Sequence, residues 1–183
     1  MSCARLRRRY RHAPWYRCAG VGLVAVDLGK RKVGVAAFDQ DARLARARTI
    51  YSQVTESDHL WDAQTTANVI LDYIVDDEIP DWVCEYPQLR HNDRANHHNI
   101  TALQLVGDVL GREIPRGWAE RYKPSEWKRS VAKKLHHSRV EKALEDDERA
   151  IWNLCGHDAR DAIAIGLFAL GRTNALGFPN ERG

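Results

Sequence analysis

The sequence predicts an α/β domain built on a mixed five-stranded sheet. Three apolar runs, at residues 21–26, 33–38 and 44–51, follow one another with only short charged turns between them. Strands so close in sequence can pair only as antiparallel hairpins. Helical patterns then precede a fourth apolar run at residues 82–85 and a fifth at residues 117–122. Because a helix between two strands favours parallel pairing, we expect an antiparallel first half and a parallel second half.

Spacing of apolar residues locates the helices. They recur every three or four positions over residues 60–74, behind N-capping residues at 55–58, and Pro80 follows the end of this helix near residue 77. A polar loop over residues 86–99 precedes a second helix at residues 99–110, and Pro124 opens a short helix. Residues 133–137 are expected to form a basic loop. The last two helices are predicted at residues 138–152 and 158–170.

Charge divides the chain unevenly. Residues 1–20 hold six arginines and no acid, whereas the other 163 residues hold 22 basic and 25 acidic groups. A basic arm on a mildly acidic body favours a polyanionic partner, although a disordered arm, or translation that starts further along, explains it as well. We therefore expect a flexible arm at residues 1–20, one folded domain at residues 21–172 and a tail at residues 173–183.

Compartment and membrane contact are predicted from what the sequence contains. No apolar segment follows the arginines as in a secretion signal, and no run approaches the roughly 20 apolar residues of a membrane span. The four cysteines have no paired spacing, so we expect Cys84 and Cys155 to be buried free thiols rather than zinc ligands. The predicted location is the cytoplasm, of a bacterium or of a virus-infected host, with no membrane partner.

Four acids stand where the apolar pattern does not require them. Asp27 and Glu85 each end an apolar strand, and Asp158 and Asp161 are spaced to share one face of the last helix. Taken singly, each has a simpler explanation as a turn residue, a solvated strand end or a helix N-terminal acid. Together they predict a site for two Mg²⁺ or Mn²⁺ ions, because clustered carboxylates repel one another unless cations offset the charge. Two such ions cut phosphodiesters by activating water and stabilising the leaving oxygen. Carboxylates in the order strand, strand, helix are typical of RNase H-like nucleases.

Several motifs together resemble the RuvC family of Holliday junction resolvases. The run LVAVDLG at residues 23–29, followed by Arg31 and Gly34, resembles that family's opening motif. Residues 83–85 (VCE) are similar to its second acidic strand, and residues 156–165 (GHDARDAIAI) to its final helix. The segment KPSEWK at residues 123–128, followed by Lys133 and Lys134, is similar to the region that carries DNA-contacting lysines. The likeness extends from about residue 21 to residue 170.

The resemblance implies an RNase H-like fold and a homodimer that nicks two strands of a four-way DNA junction symmetrically with Mg²⁺ or Mn²⁺, without an organic cofactor. It places metal ligands at Asp27, Glu85, Asp158 and Asp161. It gives Lys128 and Lys134 positions that contact phosphate or stabilise the transition state. His157 is an alternative to Asp158 as the metal ligand, although the spacing to Asp161 favours Asp158. With Asp158 as the ligand, His157 instead orients water or merely caps the helix. Tyr86 is the nearest candidate for the family's aromatic residue at the junction centre, since the loop that follows Glu85 differs from the family's loop.

Basic residues gather in three places, which we expect to contact DNA phosphates unless they are merely solvated turns. The predicted contacts are Lys30, Arg31, Arg90, Arg94, Lys128, Lys133, Lys134 and Arg139. Adjacent histidines at residues 97–98 and 136–137 rarely ligate one zinc ion together, so a zinc site is not favoured. Two other functions stay open: an RNase H-like nuclease acting on flaps, forks or RNA, and a binding module that has lost catalysis.

Overall fold

The computed structural model describes residues 20–29, 32–51, 59–74, 80–87 and 97–180. Five strands form one sheet: β1 (Val21–Asp27), β2 (Lys32–Asp39), β3 (Leu44–Tyr51), β4 (Asp81–Glu85) and β5 (Glu120–Tyr122). Their order across the sheet is β3-β2-β1-β4-β5. The β1–β2 and β2–β3 pairs are antiparallel, and the β1–β4 and β4–β5 pairs are parallel. The predicted fold class, an α/β fold with a mixed five-stranded sheet flanked by helices, is confirmed.

In the described part of the chain, six helices cover the two faces of the sheet. They are α1 (His59–Tyr73), α2 (His97–Glu113), α3 (Pro124–Trp127), α4 (Lys133–Glu141), α5 (Asp146–Leu154) and α6 (His157–Ala169). Buried residues of α1 and α2 pack with Val24, Val26 and Cys84 on one face. Those of α3 to α6 pack with Ala25 and Val83 on the other. This division follows from strand geometry, because successive side chains point to opposite faces of a sheet.

The region after α3 differs from the sequence prediction. Residues 133–137, expected as a basic loop, begin α4, and the helix expected over residues 138–152 is two helices with a break at residues 142–145. The loop prediction was wrong because His136, His137 and Val140 are buried, so packing offsets a sequence with weak helical periodicity. The break arises at Glu145, whose backbone N–H donates to the Glu148 carboxylate at 2.8 Å and starts a new helix.

A buried ion pair joins the C-terminal segment to the domain. The fully buried Glu148 of α5 accepts hydrogen bonds from both Nη atoms of Arg172, at 2.6 and 2.7 Å, and from the backbone N–H of Leu44 in β3 at 2.7 Å. Beyond it, Thr173 bridges to Pro179, and Gly177 packs against Val140 of α4. Residues 173–180, predicted as a tail, therefore lie against the domain.

Two further expectations concern the interior and the membrane. Cys84 is a buried free thiol, as predicted, whereas Cys155 is free but only partly buried. Burial raises the pKa of the Cys84 thiol to about 12. Among the described helices, none combines the length and the apolar character that crossing a membrane requires.

Candidate active site

Two acids end neighbouring parallel strands on the same face of the sheet. β1 and β4 pair with Ala25 opposite Val83 and Val26 opposite Cys84, so Asp27 and Glu85 are the next residues along each strand. Ala25 and Val83 belong to the core beneath α6. Because strand side chains alternate, Asp27 and Glu85, two residues further on, point to the α6 side as well. The expectation that these acids emerge together at one edge is confirmed.

Gly34 lets the first turn of α6 approach this edge. It pairs with Asp27 across the β1–β2 ladder. A Cβ atom at Gly34 would lie 1.9 Å from the backbone oxygen of Asp158 and 2.4 Å from its carbonyl carbon. Only a residue without a side chain permits this contact. The glycine therefore sets how close the helix that carries Asp158 and Asp161 can come to Asp27.

Asp161 is held by two residues of α4. His137 Nε2 lies 2.5 Å from Asp161 Oδ1, and Lys133 Nζ lies 2.5 Å from Oδ2. Lys133 and His137 are four residues apart and so lie on one face of the helix. Burial raises the pKa of Asp161, but the hydrogen bonds from His137 and Lys133 outweigh it and leave this pKa below its usual value. Asp161 is therefore an ionised acceptor, and the hydrogen of the short contact belongs to His137.

Glu85 is held by α3 and the residue after it. Its Oε2 accepts hydrogen bonds at 2.8 Å from Trp127 Nε1 and from Lys128 Nζ. Trp127 is buried, and the Lys128 ammonium lies 4.6 Å from the centroid of its ring. One carboxylate oxygen is thus fixed by a rigid indole and by a cation that the same indole supports.

Asp27 receives the least compensation of the three acids. Burial raises its pKa well above the usual value, and the charges of Asp161 and Glu85 raise it further, against the smaller opposing effect of Lys128 and Lys133. An ionised Asp27 is therefore unfavourable in the protein alone, since a carboxylate near two others needs a cation to offset their repulsion.

The donor set suits a hard divalent cation. Three carboxylates interact at one edge of the sheet, and oxygen ligands of this kind bind Mg²⁺ or Mn²⁺. Within the ranges described above, however, no three His, Cys, Asp or Glu side chains form a ready-made ligand group. The ammonium groups of Lys128 and Lys133 occupy oxygens of Glu85 and Asp161 instead. The three carboxylates fit a divalent cation by their chemistry and charge, and two of them are paired with lysines.

The other predicted catalytic residues lie around this group. Asp158, in the first turn of α6, interacts electrostatically with Lys133. His157 is exposed, and its ring stacks on His137 at 5.8 Å between centroids. Lys134 is exposed on α4 beside Lys133, and it is Lys133 that contacts the Asp161 carboxylate.

The predicted DNA contacts fall in different places. Lys128 and Lys133 lie at the site. Arg139 lies over the ring of Phe178 at 4.5 Å, and the ring of Tyr86, next to Glu85, lies under the guanidinium of Arg121 at 5.1 Å. The remaining predictions, which are Lys30, Arg31, Arg90, Arg94 and the arm before residue 20, lie outside the described residues.

Sequence reasoning did not include His137 and Trp127 among the site residues. The placement of His137 depends on α4 being a helix, since only then do Lys133 and His137 share a face. The available signal was the spacing of four between them. For Trp127 the signal was its position beside Lys128, but a tryptophan in a short sequence run gives no indication of which acid it meets.

The sequence matches no protein-family model and no curated protein. Among solved structures, it is similar to Thermus thermophilus RuvC in complex with a Holliday junction substrate, with a TM-score of 0.47 and 13% identity over 80% of this chain and 91% of that one. A second Thermus thermophilus RuvC structure gives a TM-score of 0.41 and 16% identity over 79% and 90%. Similarity at this level concerns the path of the backbone, and the chemistry of the site depends on the chain's own residues.

Proposed function

We propose that the protein is a metal-dependent nuclease that cuts DNA at branch points. The observation that carries the proposal is the meeting of Asp27, Glu85 and Asp161 at the carboxyl ends of two parallel strands. Open α/β sheets place their sites at such edges. Burial, followed by the charges of Asp161 and Glu85, raises the pKa of Asp27, and a bound divalent cation would offset these effects.

Each residue has a part in this chemistry. Asp27, Glu85 and Asp161 would hold Mg²⁺ or Mn²⁺, with Asp158 and His157 next to them. When bound, the ions would supply Lewis-acid stabilisation of the phosphate and a lowered pKa for the attacking water. Trp127 and His137 fix one oxygen of Glu85 and one of Asp161. Such outer hydrogen bonds orient the carboxylates before the substrate arrives.

The positive groups beside the acids favour a phosphodiester substrate. Lys133 is the first residue of α4 and Lys134 the second, with no acid in that first turn. Cations at a helix N-terminus oppose the helix dipole, at a cost of about 0.3–1 kcal/mol each. A role in pairing with Asp161 and in meeting substrate phosphates accounts for lysines at these positions.

The substrate is proposed from the sequence motifs at residues 23–29, 83–85 and 156–165, which resemble those of the RuvC family. On that basis the substrate is a four-way DNA junction, cut by a homodimer through paired nicks. A cleavage panel tests this proposal: four-way junction, fork, flap, duplex and RNA–DNA hybrid, each with Mg²⁺ and with Mn²⁺. Preferential cutting of the junction is expected. Preference for forks, flaps or hybrid would reassign the substrate, and no cleavage of any substrate would refute the nuclease.

The site itself is tested by Asp27→Asn, which keeps the size of the side chain and removes its charge. Cleavage should fall by at least about a hundredfold while the variant still binds the junction, because transition-state charge stabilisation is lost. Asp81→Asn is the matched control. Asp81 is exposed at the opposite end of β4, and its loss should leave cleavage unchanged. Full activity of Asp27→Asn would remove Asp27 from the mechanism.

A further inference from the structure

We propose that Asp161 is held by one fixed donor, His137, and one displaceable cation, Lys133. Without a divalent cation, the Lys133 ammonium pairs with Oδ2 of Asp161. When a divalent cation binds, Lys133 releases this oxygen. This inference rests on the proposed metal-dependent function and adds to it a role for each of the two residues of α4.

His137 is the fixed partner because packing immobilises its ring. Its side chain is 7% exposed. One side packs edge-on against Trp152, at 5.6 Å between centroids, and it stacks with the ring of His157. Withdrawing Nε2 from Asp161 would leave a buried carboxylate oxygen without its donor, which is costly in a protein interior. Oδ1 of Asp161 therefore keeps its orientation whether or not the second oxygen has a partner.

Lys133 is the displaceable partner because it is largely in solvent. Its side chain is 53% exposed, and it stands on the first residue of α4. Ion pairs with an exposed partner contribute little, since water replaces the lost contact. The long lysine stem moves the charge without moving the helix. Lys128, the other lysine at the site, is 32% exposed and lies over the Trp127 ring, so it is the less mobile of the two.

The release of Lys133 keeps its charge near the reaction. Its ammonium interacts electrostatically with Asp27 and Asp158 as well as with Asp161. Once the contact with Oδ2 is broken, the same stem can present the ammonium to a phosphate oxygen at the same edge of the sheet. Metal binding and substrate binding are then coupled through one side chain.

Calorimetric titration of the full-length protein with Mn²⁺, without DNA, tests the assignment. Lys133→Met removes the competing cation, and binding should tighten about two- to fivefold. Lys134→Met is the matched control, because it removes a neighbouring charge that makes no contact with Asp161, and its effect should be smaller. His137→Ala should weaken binding by about tenfold or more, and His137→Gln, which keeps an N–H donor, should recover part of that loss.

The decisive result is tighter Mn²⁺ binding in Lys133→Met together with weaker Mn²⁺ binding in His137→Ala. If both residues had a purely structural role, both substitutions would weaken binding. Lys133→Met that binds Mn²⁺ no more tightly than wild type, or no more tightly than Lys134→Met, would overturn the displaceable role. Unchanged affinity in His137→Ala, or no recovery in a folded His137→Gln, would overturn the fixed role. Wild-type protein that binds no Mn²⁺ would instead refute the metal-dependent function itself.

Discussion

Gly34→Ala tests whether close approach of α6 to the sheet builds the site. The added methyl group would meet the Asp158 carbonyl oxygen at 1.9 Å. To restore ordinary van der Waals contact, the first turn of α6 must withdraw by about 1.5 Å. Overpacking of this kind costs about 1–3 kcal/mol, slightly offset by the better strand propensity of alanine. A displacement of about 1 Å lowers rates by about a hundredfold where catalytic groups must be aligned.

Gly156→Ala provides the control for this experiment at the same end of the same helix. A Cβ atom there meets only Thr49 Oγ1, at 3.5 Å, and the backbone is extended (φ −73°, ψ 175°), which alanine adopts freely. Its cost should stay below about 1 kcal/mol, the usual loss at a helix N-cap. Urea denaturation gives both free energies of unfolding, and initial rates of junction cleavage give both activities. If Gly34→Ala matched Gly156→Ala in stability and rate, the close approach would not be what positions Asp158 and Asp161.

Three further predictions concern charge and burial. Asp27→Asn should raise the melting temperature of the metal-free protein. The raised pKa of Asp27 means that its ionised form destabilises the fold at neutral pH. The rise in melting temperature that Mn²⁺ induces should be smaller in this variant than in wild type. Glu148→Gln should cost about 3–5 kcal/mol in urea denaturation, since it leaves the Arg172 charge without its partner. Burial raises the pKa of Glu148, but Arg172 holds this pKa below its usual 4.5. The ionised Glu148 therefore stabilises the fold fully above that pH, and the stabilisation disappears as the pH falls through the lower pKa of the folded state. Wild type should show this loss of stability at low pH, and Glu148→Gln should not. With its pKa near 12, Cys84 should resist alkylation at neutral pH until denaturant is added, as peptide mass spectrometry would show; rapid labelling of native protein would contradict its burial.

The sheet could be predicted from sequence because local spacing determines it. Three apolar runs without room for a crossover must form hairpins, and Pro80 and the helical pattern before it separate β4 from them. Asp27 and Glu85 stand out because each is an acid that ends an apolar strand. Each of these signals spans only a few neighbouring residues, and the strands of the structure agree with them.

The contacts of His137 and Lys133 with Asp161 could not be predicted in the same way. α4 has little periodicity of its own, and it forms because His136, His137 and Val140 are buried against the rest of the protein. Tertiary packing overrides local preference in such short helices. Without the helix, the register of Lys133 and His137 cannot be known, and the resemblance to known resolvases drew attention to Lys134 instead.

The distribution of positive charge among the three acids is itself informative. Lysines placed evenly among the acids would offset the effects that act on Asp27 as well as the charges of the other two acids. Instead Lys133 pairs directly with Asp161 and Lys128 with Glu85, and their smaller effect on Asp27 leaves its pKa raised. The raised pKa therefore falls on the acid that ends the central strand, with burial as its largest cause and the charges of Asp161 and Glu85 next. A fold keeps an uncompensated carboxylate at low solvent exposure only at a cost in stability. Binding a divalent cation at Asp27 would offset that cost, so the metal should increase stability most in variants that retain Asp27.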